Sequence, residues 1–113
     1  LYTMGKFEVK TDKAGKFRFN LKAANGQVIL SSQGYESMAN CEKGIASVKN
    51  NSQEDAQFAR KESKRGEPYF DLMATNGQVI GTSEMYSSES AMENGIESVK
   101  KNAPDAAIDD LTS

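Results

Sequence analysis

The stretch Asn25-Gly26-Gln27-Val28-Ile29 decides the fold, because the same five residues return 51 positions later, at residues 76–80. At this offset, 18 of the 36 aligned pairs from Phe17/Pro68 to Ser52/Ala103 are identical, with no gap. The chain is therefore a tandem duplication of one small unit. We place the first repeat at residues 5–55 and the second repeat at residues 56–113.

Each copy of this stretch predicts a β-hairpin. Apolar and polar residues alternate along Phe17–Ala23, which is typical of a half-buried strand. Asn-Gly between two such runs favours a two-residue type I′ turn, in which both central residues have positive φ. Such a turn places Leu21 opposite Leu30 and Lys22 opposite Ile29. On this interpretation, turn chemistry accounts for the whole repeated stretch.

A helix follows each hairpin. Ser37 is a suitable N-cap, and an apolar stripe at helical spacing comes after it, formed by Met38, Cys41, Ile45 and Val48. In the second repeat, Ser88 precedes the corresponding stripe of Met92, Ile96 and Val99. We predict further strands at Phe7–Lys10 and at Ala107–Leu111.

The segment from Ala56 to Ser63 belongs to both repeats. It follows the first helix as a final strand would, yet its Phe58 aligns with Phe7 of the opening strand. A unit of about 50 residues is marginal alone, whereas the whole chain can bury roughly two-thirds of its unfolded surface. We therefore predict one interlocked α+β domain, a monomer with internal pseudo-twofold symmetry. Its shared core comprises Phe7, Phe19, Leu21, Val28, Ile45, Val48, Phe70, Leu72, Val79, Ile96 and Val99.

Composition argues against several classes of function. The formal net charge of −2 does not favour binding to nucleic acid or to an anionic membrane, and no apolar run is long enough to span a bilayer. There is no histidine, which is the commonest general base and metal ligand. The single cysteine and the lack of an apolar leader favour the reducing cytoplasm.

The candidate chemical residues have simpler structural interpretations. Cys41 could be a nucleophile, but it aligns with Met92 on the apolar stripe and has no histidine to activate it. Gly44 and Gly95 lie inside the helices, where close approach of helix to sheet explains them better than a bound ligand. We predict no catalytic residue, cofactor or metal.

The sheet face opposite the helices is the best candidate for a binding surface. Strand alternation places Arg18, Asn20, Lys22 and Ile29 there in the first repeat, and Tyr69, Asp71, Met73 and Ile80 in the second. A mixture of apolar and basic side chains on an uncovered sheet suits a macromolecular partner. The predicted interaction face comprises Arg18, Lys22, Ile29, Tyr69, Met73 and Ile80.

These motifs together resemble the YegP-like bacterial proteins. The resemblance rests on Asn-Gly-Gln-Val-Ile, on Tyr35 and Ser37, and on the runs at residues 44–51 and 95–106. It implies tandem β3-α-β units that form one antiparallel sheet, with two helices on one face and exchanged C-terminal strands. The family has no known function, so the resemblance supplies no site residues. Gly81 in place of Leu30, and Pro68 in place of Phe17, are expected to weaken the second sheet locally.

We therefore predict a non-enzymatic module that binds another protein. The alternatives are a weak nucleic-acid-binding protein using Arg18 and Lys22, and an enzyme built around Cys41. Repetition explains most motifs structurally, so function is expected where the copies differ on the open face, at Lys22/Met73 and Arg18/Tyr69.

Overall fold

Seven strands and two helices follow the duplicated sequence in order. The structure, a computed structural model, describes residues 5–112; Ser113, the last residue of the predicted second repeat, lies outside them. A 3₁₀ turn over Asp55–Gln57 leads from the first helix into the fourth strand. The elements are β1 (Lys6–Thr11), β2 (Phe17–Lys22), β3 (Val28–Ser31), α1 (Met38–Asn51), β4 (Phe58–Glu62), β5 (Pro68–Met73), β6 (Val79–Thr82), α2 (Glu89–Asn102) and β7 (Ala107–Asp110).

All seven strands form one sheet in the order β4-β5-β6-β3-β2-β1-β7. The predicted α+β fold of two tandem repeats is confirmed. The repeats also exchange strands as expected, because β7 follows α2 of the second repeat but pairs with β1 of the first. This pairing is parallel, so the sheet is mixed, whereas a wholly antiparallel sheet was predicted.

The helices join the two halves of the sheet. Each begins at the predicted N-cap, where the hydroxyl of Ser37 accepts the Asn40 amide at 3.1 Å and the hydroxyl of Ser88 accepts the Ala91 amide at 3.0 Å. α1 packs on β2 of its own repeat and also on β5 and β6, while α2 packs on β5 and β3. One hydrophobic cluster therefore spans both repeats. Among residues 5–112, neither helix combines the length and the hydropathy that crossing a bilayer requires.

The hairpin turns differ from the prediction. Only Gly26 has positive φ, at 85°, while Asn25 does not; the Gly26 amide donates to the Ala23 carbonyl, and the Ala23 amide donates to Gln27. This is a longer turn that ends in a left-handed glycine and a bulge. The second hairpin has the same turn, with Gly77 at φ 87°.

The bulge changes which residues face the helices. Leu21 lies opposite Leu30 as predicted, but Lys22 lies opposite Val28 instead of Ile29. In the second repeat Met73 likewise lies opposite Val79. Because one residue of register exchanges the two faces of a strand, Ile29 and Ile80 turn into the core, where they are 5% and 8% exposed. The prediction that Val28 and Val79 are core residues was wrong, since Val28 is half-buried and Val79 is 37% exposed.

At the centre of the sheet the two repeats meet between β3 and β6, where Ser31 pairs with Thr82. Beside this pair, a Cβ on Gly81 would lie 2.6 Å from Cγ of Leu30. Leu30 of the first repeat therefore fills the space that a side chain at position 81 would need. Pro68 has a smaller effect: Phe17 and Tyr35 exchange two backbone hydrogen bonds, whereas only the Tyr86 amide bonds to Pro68.

Candidate functional site

None of the residues that the structure describes covers the sheet face opposite the helices, and ion pairs dominate its first-repeat half. Glu8 on β1 is only 8% exposed, and Lys22 and Lys6 lie 2.9 Å and 3.3 Å from its carboxylate. The hydrogen bond from Lys22 holds the pKa of Glu8 below its usual range, against the opposing effect of burial. Lys6 also reaches Asp109 on β7, at 3.4 Å, so this network ties the exchanged strand to β1.

The second-repeat half of this face has its own buried carboxylate. Asp71 on β5 is 5% exposed; it accepts a hydrogen bond from the Thr82 hydroxyl at 2.7 Å and pairs with Lys61 on β4 at 2.6 Å. The hydrogen bond to Asp71 raises the pKa of Lys61. The carboxylates thus lie at different strand positions in the two repeats, because Ala59 aligns with Glu8 and Asn20 aligns with Asp71.

Arg18 lies beside a shallow cavity of about 260 Å³ on the first-repeat half. Its guanidinium donates to Asp12 at 2.7 Å and to the Ser32 carbonyl at 3.5 Å, and the Arg18 hydrogen bond lowers the pKa of Asp12. Lys10 also lines the cavity, and within residues 5–112 it forms no ion pair. The remaining polar lining includes Asn20 and Ser31. Arg18 is therefore fixed by its pairing with Asp12, whereas Lys10 can pair with an anionic group that enters the cavity.

Four of the six predicted interaction residues lie on this face. Arg18 is exposed, and Lys22, Tyr69 and Met73 are half-buried there. The prediction was wrong for Ile29 and Ile80, which the bulge turns toward the helices. Val28 and Val79 take their places on the open face.

Sequence reasoning missed two residues of this site, Glu8 and Lys10. Both occupy polar positions in the alternating pattern of β1, and pairing β1 with β2 places them beside Asn20 and Arg18. Including the polar positions of β1 in the predicted open face would have identified both residues.

Packing between the helices and the sheet accounts for Gly44, Gly95 and Cys41. A Cβ on Gly44 would lie 2.7 Å from Cζ of Tyr35, and a Cβ on Gly95 would lie 2.6 Å from Cζ of Tyr86, so both glycines allow a tyrosine ring to pack beneath a helix. Cys41 is fully buried, and burial raises the pKa of its thiol. A thiol in this state is a poor nucleophile.

Comparison with known proteins identifies the family to which this chain belongs. The model of the family described as "Domain of unknown function (DUF1508)" matches twice, over residues 12–58 and 63–110. The UPF0339 protein YegP of Yersinia pestis is 52% identical over 109 residues, which cover 96% of this chain and 97% of the relative.

Two solution NMR structures have the same fold. The yegP protein of unknown function from E. coli has a TM-score of 0.93 and 42% identity, covering all of this chain and 97% of that one. A UPF0339 protein from Shewanella oneidensis has a TM-score of 0.91 and 44% identity, covering 97% and 93% of the two chains. The chain therefore belongs to the DUF1508 family, the YegP-like UPF0339 proteins, whose function is unknown.

Proposed function

We propose that this chain is a non-enzymatic module that binds an acidic segment of a partner protein on its open sheet face. The cavity beside Arg18 carries the proposal. Its charged lining consists of Lys10, Arg18, Glu8 and Asp12. Asp12 is paired with Arg18, and Glu8 is paired with Lys22 and Lys6, which lie farther along the same face. Lys10 is left to pair with a partner's carboxylate.

The second-repeat half of the face supplies apolar contact area. Tyr69 and Met73 are half-buried on β5, and Val79 on β6 is 37% exposed. A binding surface commonly combines such apolar anchors with a charged rim. An acidic, amphipathic segment lying across β2 to β5 would satisfy both halves of the face.

Nucleic acid suits this face less well than protein. A nucleic-acid backbone is bound by several cations along its length, whereas Arg18 and Lys22 are already paired with carboxylates and Lys10 alone is left for one anionic group. Tyr69 is the one aromatic residue on the predicted interaction face, which gives successive bases little to stack on. An electrophoretic shift of a labelled oligonucleotide that disappears with added salt would favour the nucleic-acid alternative.

An enzyme built around Cys41 is the least favoured alternative. The thiol is fully buried on the inner face of α1, and the chain contains no histidine to activate it. Modification of Cys41 by a thiol reagent in the folded protein, at the rate seen after denaturation, would revive this alternative. We expect the protein to act as a monomer in the cytoplasm, where a single reduced cysteine is usual.

A labelled ten-residue glutamate-rich peptide tests the proposal directly. We expect it to bind at low ionic strength, and we expect Lys10→Glu with Arg18→Glu to abolish the binding because the cavity then repels carboxylates. Lys43→Glu changes the charge of an exposed residue on α1 and should leave the affinity unchanged. Fluorescence anisotropy measures binding, and far-UV circular dichroism checks that each variant folds.

The apolar half needs a separate variant. Met73→Ser with Val79→Ser should weaken capture of the native partner from lysate without changing the binding of the glutamate peptide. Equal loss of the peptide in the Lys43→Glu control, or unchanged capture in every open-face variant, would contradict the proposal.

A further inference from the structure

A groove crosses the boundary between the repeats on the helix side of the molecule. It lies between the first hairpin and α2, and its deeper part is a cavity of about 250 Å³. A second cavity of about 370 Å³ continues it along α2, and the two share Ala23, Asn25, Asn94 and Ser98. Residues of both repeats are needed to form this groove.

The lining of the deeper cavity is more alike between the repeats than the chain as a whole. Eight of its eleven residues are identical to the residues 51 positions away, whereas half of the aligned pairs are identical overall. The pseudo-twofold relation therefore brings the same eight residue types together between the second hairpin and α1. Glu84, Ala91 and Asn94 are the three that differ, and they align with Gln33, Asn40 and Lys43.

Turn chemistry does not account for the glutamine of the repeated stretch. The side chain of Asn25 accepts the backbone amide of Gln27 at 3.0 Å, a bond that any residue at position 27 could donate. The Gln27 side chain itself is exposed and forms no hydrogen bond within residues 5–112. Gln78 repeats this arrangement beside Asn76. The retained amide is thus available to a ligand.

The deeper cavity of the groove combines an apolar floor with walls that are mostly neutral and polar. Ile29 and Gly95 are buried at its base, next to the half-buried ring of Tyr86. The amides of Gln27 and Asn94 stand on opposite walls, and an amide both donates and accepts hydrogen bonds. Glu84 is the single charged residue in the lining of the deeper cavity.

We propose that this groove binds a neutral polyhydroxylated molecule of monosaccharide size. The C–H face of a sugar ring suits the apolar floor, and its hydroxyl groups can both donate to and accept from the amides of Gln27 and Asn94. The Glu84 carboxylate accepts hydroxyl donors but repels anions, so it selects against phosphorylated and acidic sugars. This site is separate from the open sheet face and does not depend on the function proposed for that face.

Titration of the ¹⁵N-labelled protein with glucose, galactose and mannose tests the proposal. We expect at least one of these hexoses to shift the side-chain amide signals of Gln27 and Asn94 in a saturable manner. Gln27→Ala should weaken that binding about tenfold, the effect of one lost hydrogen bond. Asn50→Ala, which removes an exposed amide at the far end of α1, should leave the affinity unchanged.

A charged sugar separates a specific site from general surface contact. Glucuronate should bind more weakly than the best neutral hexose, and Glu84→Gln should reduce this difference. The proposal is overturned if none of the three hexoses shifts these amides at about 50 mM, a concentration that would nearly saturate a site with a Kd of about 1 mM. It is also overturned if the shifts do not saturate, or if Gln27→Ala and Asn50→Ala bind equally well.

Discussion

At the scale of single residues, each helix reaches the sheet through a glycine that lies over a tyrosine ring. The glycine costs about 1 kcal/mol of helix propensity relative to alanine. It allows Tyr35 and Tyr86 to stack on Phe19 and Phe70, with ring centroids 6.2 Å and 6.3 Å apart. The same pairing occurs in both repeats, which indicates that close packing outweighs the lost propensity.

Gly95→Ala should therefore destabilise the protein although it improves helix propensity. Its Cβ would overlap the Tyr86 ring, and overpacking of this kind costs about 1–3 kcal/mol. Tyr86→Phe removes the oxygen nearest to that Cβ and should partly restore stability in the double variant. Urea unfolding measures both, with Ser90→Ala at an exposed position of α2 as the control. Equal stability of Gly95→Ala and wild type would contradict this account.

Glu8 gives a prediction about pH. Its pKa is lowered in the folded state by the hydrogen bond from Lys22, so its contribution is complete above the unfolded pKa of about 4.3. That contribution is lost as the pH falls through the folded pKa. We expect the free energy of unfolding of Glu8→Gln to fall less than that of wild type between pH 5 and pH 3.

Urea titrations at pH 7, 5, 4 and 3 measure this difference. Glu42→Gln is the matched control, because Glu42 is exposed on α1 and forms no ion pair within residues 5–112. Parallel pH curves for wild type and Glu8→Gln would show that the Glu8 network does not contribute to stability.

At the scale of elements, the sequence predicted the strands and helices better than the turns between them. Alternation located β2 and β5, and the serine caps located both helices, because these signals depend only on local chemistry. Asn25-Gly26 is compatible with two hairpin turns, and tertiary packing selects the one with a bulge. The sequence could therefore predict Arg18, Lys22, Tyr69 and Met73 on the open face, but not the burial of Ile29 and Ile80.

The bulge predicts losses of stability of different size for two adjacent residues on β6. Ile80→Ser should destabilise the fold by roughly 2–4 kcal/mol, because it puts a hydroxyl in the core and removes buried apolar surface. Val79→Ser, on the open face, should cost less than about 1 kcal/mol. Chemical denaturation measures the loss of stability in each variant. A larger loss for Val79→Ser than for Ile80→Ser would favour the predicted two-residue turn over the bulged turn.

At the scale of the whole molecule, the two edges of the sheet, at β4 and β7, are built differently. β7 covers β1, so Val9 is fully buried. β4 has no outer neighbour among the seven strands, and the residue aligned with Val9 is Arg60, whose guanidinium bonds to Glu93 at 2.6 Å and Asp55 at 3.1 Å. A charged group at this position discourages the addition of a further strand.

The centre of the sheet is asymmetric as well, and this asymmetry can be reversed. Gly81→Leu should destabilise the fold by about 1–3 kcal/mol, because its side chain would occupy the space of Leu30. Leu30→Gly alone should cost about 2–5 kcal/mol through the cavity that it leaves. In the double variant the leucine lies on the other strand, so the loss of stability should be smaller than the sum of the two single losses. Thermal unfolding measures this coupling, and strict additivity would contradict it.

The pairing of Leu30 with Gly81 also has a consequence for how the two halves recognise each other. Two copies of the first half would bring two leucines together at the centre of the sheet, and two copies of the second half would leave a hole there. If the halves were separated, we therefore expect each to associate more stably with the other than with a second copy of itself. With leucine in one repeat and glycine at the matching position of the other, the two halves are complementary at this point and are not interchangeable.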